Sequence, residues 1–262
     1  MATKTKRLAE LSGEQLKEVL GLIKSADSVE LKLTLPESTQ RSAIDGLGLD
    51  PLDAQIRQVF FFDTPDLRLQ QAGIAVRARR IQGRPGDTVV KLRPVVPDDL
   101  PEDLRRSMTV EVDAMPGGYV CSASMKGKVP NEDVLEGIRG ERPLRKVFSK
   151  EQRSFYEAYA PQGLALDDLR ILGPTFVLKL VVEPKELGRR LVVEGWLLPD
   201  GSRIVELSTK CVPAETFTAA IESRAYLEDL GLELTEDPHT KTKTTLEFFA
   251  GRMADEATQT PA

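Results

Sequence analysis

Charged residues alternate with apolar ones in several short segments of this chain, and their signs are not random. Val76 and Ala78 alternate with Arg77 and Arg79, Val90 and Leu92 with Lys91 and Arg93, and Val29, Leu31 and Leu33 with Glu30 and Lys32. Val110 and Val112 alternate with Glu111 and Asp113, and Val205 and Leu207 with Glu206, Ser208 and Lys210. A period of two puts each charged set on one face of a strand. Between Arg77 and Arg93 there are six basic residues and one acid, Asp87. Like charges at i and i+2 lie about 6.6 Å apart. Their repulsion is about 0.6 kcal/mol in water and about 2.5 kcal/mol at an effective dielectric of 20. Two arrangements satisfy the alternation. One is an antiparallel sheet with a face in water. The other is a barrel whose lumen carries the charges, where cations converge on a polyphosphate and carboxylates hold divalent cations. Alternation does not separate them.

The elements that carry these residues are mostly strands. Strand patterns cover Ser28–Leu35, Ile56–Asp63, Ile74–Gln82, Asp87–Val95, Ser107–Met115, Gln152–Tyr159, Thr175–Glu183, Arg190–Leu198 and Arg203–Cys211. Pro199-Asp200-Gly201 marks a hairpin between the last two. A helix is expected near the N-terminus, where Ser12 and Gln15 form a capping-box pattern ahead of Leu16, Val19, Leu20 and Ile23. Glu215–Leu230 is a second helix, and Lys126–Arg139 is mixed. The expectation is one α+β, mainly β domain over residues 1–250, with a helix in 1–25 and a flexible tail in 251–262.

Composition narrows the function classes. The chain has 262 residues, with 36 Lys and Arg against 41 Asp and Glu, so it lacks the basic surplus of a general nucleic-acid binder. No apolar run reaches the ~20 residues of a membrane span, and no signal-peptide pattern opens the chain, so a cytoplasmic protein without membrane or nucleic-acid partners is expected. One histidine, His239, excludes multi-histidine metal sites, and two cysteines, Cys121 and Cys211, exclude a disulfide scaffold.

Four stretches resemble the CYTH family, the triphosphate tunnel metalloenzymes. Val29-Glu30-Leu31-Lys32 resembles the end of the family's ExExK motif. Phe61-Phe62-Asp63-Thr64-Pro65 is similar to its aromatic-Tyr-Asp-Thr-Pro segment. Gly73 to Arg79 resembles Gly-x-x-Leu-Arg-x-Arg, and Val89 to Arg93 its Thr-x-Lys strand. Looser matches are Glu111-Val112-Asp113, Arg153, Leu166-Asp167-Asp168 and Glu206. The resemblance implies an eight-stranded antiparallel closed tunnel with flanking helices. It also implies Mg²⁺ or Mn²⁺ as cofactor and a triphosphate-containing small molecule or polyphosphate as ligand. Inorganic triphosphatases, thiamine triphosphatases and class IV adenylyl cyclases share this pattern.

On this basis Glu30 and Lys32 are the catalytic candidates. Arg77, Arg79, Lys91, Arg93, Arg153 and Lys210 are the triphosphate-binding candidates, and Glu30, Glu111, Asp113 and Glu206 the metal ligands. Lys32 would orient the attacking water, or deprotonate it, if its pKa fell in the tunnel. Two departures stand out: Ser28 replaces the first Glu of ExExK, and Ser208 follows Glu206 where a second acid is usual. The expected activity is metal-dependent hydrolysis of a phosphoanhydride. The alternatives are a polyphosphate or nucleotide-binding module with little catalysis, or an adenylyl cyclase of the same fold. Asp63-Thr64-Pro65 reads as a turn signature, Trp196 and Phe60–Phe62 as packing, and Pro238–Thr244, with Lys241 and Lys243, either as a flexible polar loop or as a basic lid over a tunnel mouth.

Overall fold

A computed structural model describes residues 13–116, 118–232 and 240–259. Among them, nine strands run in chain order: β1 Ser28–Leu35, β2 Gln55–Asp63, β3 Ile74–Ile81, β4 Arg84–Leu92, β5 Thr109–Met115, β6 Gly118–Val129, β7 Arg170–Val182, β8 Leu191–Leu197 and β9 Arg203–Cys211. The helices are α1 Gly13–Ser25, α2 Glu37–Gly46, the single turns α3 Arg68–Gln71 and α4 Glu102–Arg105, then α5 Asn131–Ile138, α6 Lys150–Tyr159, α7 Thr216–Asp229 and α8 Lys241–Gln259. None is long and apolar enough to cross a membrane.

The strands close into a barrel in the order β1-β5-β6-β4-β3-β2-β7-β8-β9. Every pair is antiparallel except β1–β5, which is parallel and sets Ser28 opposite Glu111 and Glu30 opposite Asp113. The expected eight-stranded antiparallel tunnel is thus a nine-stranded barrel with one parallel pair. Closure leaves no sheet edge unpaired.

The alternation expected from sequence holds, and it separates core from lumen. Val29, Phe60, Phe62, Val76, Ala78, Val90, Val110 and Val112 point outward into one buried cluster with Val134, Phe155, Tyr156 and Ala219 from the helices. Leu33, Leu35 and Leu207 meet Ala43 and Leu227 in a second. A third joins Phe61 and Trp196 to Leu246 and Phe249 of α8, so the aromatic residues do serve packing. The apolar parity is what the helices cover, which leaves the charged parity no place but the inside.

Three segments differ from the sequence expectation. Gln152–Tyr159 is not a strand but most of α6. The Ser149 hydroxyl accepts from the Gln152 N–H, and the Gln152 side chain reaches back to Ser149, so a capping box overrides the β-prone aromatics. Phe155 and Tyr159, one turn apart, then meet edge to face at 5.2 Å. Strand β6 gave little signal because Cys121, Ser122, Ala123 and Ser124 are small; its end and α5 share the mixed segment Lys126–Arg139, parted at Pro130. The tail expected from residue 251 is helical through Gln259, as the end of α8. Ser12, and the Pro238–His239 part of the proposed closing loop, lie outside the described residues.

Local turn chemistry aims the charged strands. The Asp63 carboxylate accepts from the backbone N–H groups of Thr64, Leu69 and Gln70 at 2.7, 2.8 and 2.9 Å, so it staples the β2–β3 connection. Gly73 has φ +76°, and a Cβ there would lie 2.4 Å from the Arg93 carbonyl oxygen. The Arg93 N–H donates to Gly73 O at 2.8 Å. Only glycine fits this approach, which fixes the end of β4 beside β3.

Candidate functional site

The lumen is a cavity of about 690 Å³. Twelve Lys or Arg residues and four Glu line it. Glu30, Lys32, Arg77, Arg79, Lys91, Arg93, Glu111, Glu206 and Lys210 all reach it, from β1, β3, β4, β5 and β9, Arg93 from just past the end of β4. Asp113 lies just behind this wall, fully buried.

The acids fall into two groups. Glu30, Glu111 and Asp113 bring carboxylate oxygens within 4.8 Å of one another. Oxygen-only donors at this spacing suit a hard divalent cation such as Mg²⁺ or Mn²⁺. Asp113 is surrounded by cations: Lys32 Nζ at 2.8 Å, Arg93 Nη2 at 3.4 Å and Lys91 Nζ at 3.5 Å. Burial alone would raise its carboxyl, but Lys91, Lys32 and Arg93 together outweigh that and hold it far below the usual carboxylate range. Glu30 is also lowered, burial being outweighed chiefly by Lys32 at 3.1 Å. Glu111 pairs with Lys210 and accepts a 3.4 Å hydrogen bond from Ser28 Oγ. The fourth expected metal ligand, Glu206, is not with this trio. It sits beside its cross-strand partner Glu194, and Lys241 bridges the two carboxylates at 2.5 and 2.7 Å.

Lys32 does not behave as the expected base. Burial opposes its charge, but Asp113 and Glu30 outweigh burial and raise its pKa above the ordinary lysine value. It therefore keeps its proton between these carboxylates.

The other cations have too few acids. One carboxylate, Asp113, serves Lys91 and Arg93 as well as Lys32, and burial pushes the Lys91 ammonium down to about 8 despite that contact. Burial likewise lowers Lys179 to about 8, with Arg57 adding repulsion. Arg77 is lowered to about 9 by burial and by Arg79, and its Nε is buried without a hydrogen-bond partner. A guanidinium does not give up its proton in a protein. Its unfavourable burial would be relieved instead by an anion. Arg79 is better matched, since Nε and Nη2 reach the Asp87 carboxylate at 2.7 and 2.6 Å.

Arg153 lies elsewhere. It is on α6 outside the barrel, and its Nη1 donates to Phe148 O at 2.8 Å and to Arg145 O at 3.3 Å. Arg80, from the basic run, also misses the lumen lining and donates to Gln58 Oε1 at 2.8 Å. Three lining cations were not singled out from sequence: Arg57, Lys126 and Lys179. Arg57 and Lys179 obey the same parity rule and were findable in Ile56-Arg57-Gln58 and Leu178-Lys179-Leu180. Lys126 was hidden by the missed β6. Lys241 and Lys243, expected in a loop at the tunnel mouth, do line the lumen, but from the first turn of α8 rather than from a loop.

No protein-family model matches the sequence, and no curated protein does. Solved structures do match. A Hippeastrum protein, a candidate adenylyl cyclase reported to show a dominant triphosphatase activity, superposes with TM-score 0.61 at 17% identity, over 84% of this chain and 95% of that one. A candidate adenylate cyclase from Bacillus halodurans gives TM-score 0.59 at 13% identity, over 84% of this chain and 97% of the other. At such identities the likeness is one of fold: the chain shares the closed-barrel architecture of these two proteins.

Proposed function

We propose that this tunnel binds a triphosphate compound and hydrolyses it with Mg²⁺ or Mn²⁺. The observation that carries the reading is the guanidinium of Arg77, buried in a closed cationic lumen with no partner for its Nε. Arg77, Arg79, Lys91 and Arg93 take the phosphate oxygens, since guanidinium forks and ammonium groups match that chemistry. Glu30, Glu111 and Asp113 hold the divalent ion, and Lys32, protonated between Glu30 and Asp113, fixes their orientation. When bound, the ion supplies charge neutralisation and a more acidic water. Hydrolysis would then consist of in-line attack of water on the terminal phosphorus, rupture of its bond to the bridging oxygen, departure of the diphosphate side and loss of the water's proton to solvent. Positioning and charge neutralisation supply most of such catalysis. The Hippeastrum protein's triphosphatase activity agrees with this chemistry.

A second reading, a polyphosphate-binding module with weak turnover, is favoured by one observation. Ser28 offers Glu111 a hydroxyl where a further carboxylate would enlarge the metal site. A two-part experiment tests both. Tripolyphosphate at 100 times its Kd should stabilise the fold by about 2.7 kcal/mol. Incubating the protein with tripolyphosphate or ATP and Mn²⁺ or Mg²⁺, then assaying phosphate, pyrophosphate and cyclic AMP, reads the turnover. No thermal shift with any polyphosphate at low salt refutes both readings; a shift without products leaves only binding.

A further inference from the structure

The lumen's other acidic pair is already served by the chain itself. Glu194 and Glu206 are directly opposite on β8 and β9, and both are buried. Lys241 Nζ stands 2.5 Å from Glu194 Oε2 and 2.7 Å from Glu206 Oε1. Arg57 Nη1 lies 3.5 Å from the other oxygen of Glu194. Two positive charges thus face two negative ones. The remaining side is closed by Trp196, whose ring centroid lies 5.3 Å from Lys241 Nζ and whose Nε1–H donates to Glu194 Oε2 at 3.3 Å. An aromatic face attracts an ammonium but offers a metal ion no oxygen.

Local preference does not account for the position of Lys241. It is the first residue of α8, where the helix dipole disfavours a cation. Tertiary packing sets it there, because Leu246 and Phe249 of the same helix are buried with Phe61 and Trp196. The ammonium is delivered to the carboxylates by a helix anchored a turn further on. Among the described residues, the cations paired with the trio Glu30, Glu111 and Asp113 are Lys32, Lys91, Arg93 and Lys210 of the barrel wall, and Lys241 reaches Glu30 only through its longer-range field.

We infer that Lys241 is a tethered cation standing in for a divalent ion at the Glu194–Glu206 pair, so that the tunnel takes at most one divalent ion rather than two. The location of that one ion rests on the reading of the Glu30 trio proposed above; the role of Lys241 does not. With Lys241 in place the pair has no net negative charge to attract a dication. Without it, Glu194 keeps Arg57 at 3.5 Å and the longer-range field of Lys179, Glu206 keeps the field of Lys32, and a divalent ion is the replacement partner that both carboxylates can share.

The test counts Mn²⁺ bound per full-length chain by electron paramagnetic resonance, in wild type, Lys241→Gln and Lys241→Arg. Lys241→Gln should bind one ion more than wild type. Lys241→Arg, which keeps the charge, should not, and Lys241→Gln/Glu206→Gln should lose the added ion. Equal counts in wild type and Lys241→Gln overturn the inference, as does a second ion in wild type that Glu206→Gln removes. If wild type binds none and Lys241→Gln binds one, the trio reading fails and the role of Lys241 stands. If Lys241→Gln is too unstable to assay directly, Mn²⁺ should raise its melting temperature by more than it raises that of wild type, and no such excess also overturns the inference.

Discussion

Ser28 Oγ donates a 3.4 Å hydrogen bond to Glu111 Oε1 across β1 and β5, the parallel pair of the barrel. The position that departs from the ExExK pattern therefore touches the carboxylate trio instead of facing away from it. A carboxylate at 28 would join Glu30, Glu111 and Asp113 as an oxygen donor. Ser28→Glu should tighten Mn²⁺ about tenfold, or 1.4 kcal/mol. It should also lower the melting temperature of the metal-free protein, because the added charge repels Glu111. Ser28→Ala should cost only about 1 kcal/mol of stability. Mn²⁺ titration followed by thermal unfolding measures all three; unchanged Mn²⁺ affinity in Ser28→Glu would show that residue 28 lies outside the metal's reach.

Arg77 is held in the lumen at the expense of its own solvation. Arg77→Ala should weaken tripolyphosphate about 10- to 100-fold, since a hydrogen bond to a charged group contributes about 1.5–3 kcal/mol. The unliganded protein should lose little stability, because an uncompensated charge is removed along with its contacts. Calorimetric titration with tripolyphosphate, paired with unfolding in urea, separates the two. A variant equally weakened in folding and in binding would mark Arg77 as structural.

Lys179 gives a pH signature. Burial holds it at about 8 in the free protein. The unfolded chain, with an ordinary lysine, binds more protons between pH 8 and the ordinary value. Its contribution to stability therefore rises with pH through that window. A bound polyanion favours the charged form, so tripolyphosphate binding near pH 8.5 should take up a proton. Binding enthalpies measured in buffers of different ionisation enthalpy report this uptake. It should shrink in Lys179→Met, and zero uptake in wild type would place the phosphates away from Lys179.

Gln152 and Arg153 are neighbours with opposite expectations. Gln152 is fully buried, and its Nε2 donates to Thr88 O and Met125 O, both at 3.0 Å, tying α6 to β4 and β6. Gln152→Leu leaves those groups without their partner and should cost about 2–4 kcal/mol, seen as a lower urea midpoint at constant slope. Arg153→Ala should leave tripolyphosphate affinity within about twofold, because its guanidinium serves the backbone of Arg145 and Phe148. A large affinity loss in Arg153→Ala would return that residue to the binding site.

What the sequence determined by itself was parity. Val76-Arg77-Ala78-Arg79 and Val90-Lys91-Leu92-Arg93 state which residues share a face, because a strand repeats every two residues, and that relation survives any tertiary arrangement. β1 and β9 were legible to the residue for the same reason, as was the turn role of Asp63. The sequence did not determine that β1 would lie parallel to β5, which alone brings Ser28 to Glu111 and Glu30 to Asp113. Nor did it place Glu206 with Glu194 instead of with the trio, or aim Lys241 at both. Those neighbours are 83, 12 and up to 47 residues apart in the chain. Their meeting depends on strand order and on the docking of α8, which many side chains decide together and no local pattern encodes. Gln152–Tyr159 shows the reverse limit: a four-residue capping box, Ser149 to Gln152, outweighed aromatic strand propensity, because propensity is weak wherever a hydrogen-bonded cap and a buried face agree. Whether the charged face met water or a lumen was likewise a tertiary outcome, fixed once the apolar face was covered by helices and the ninth strand closed the barrel.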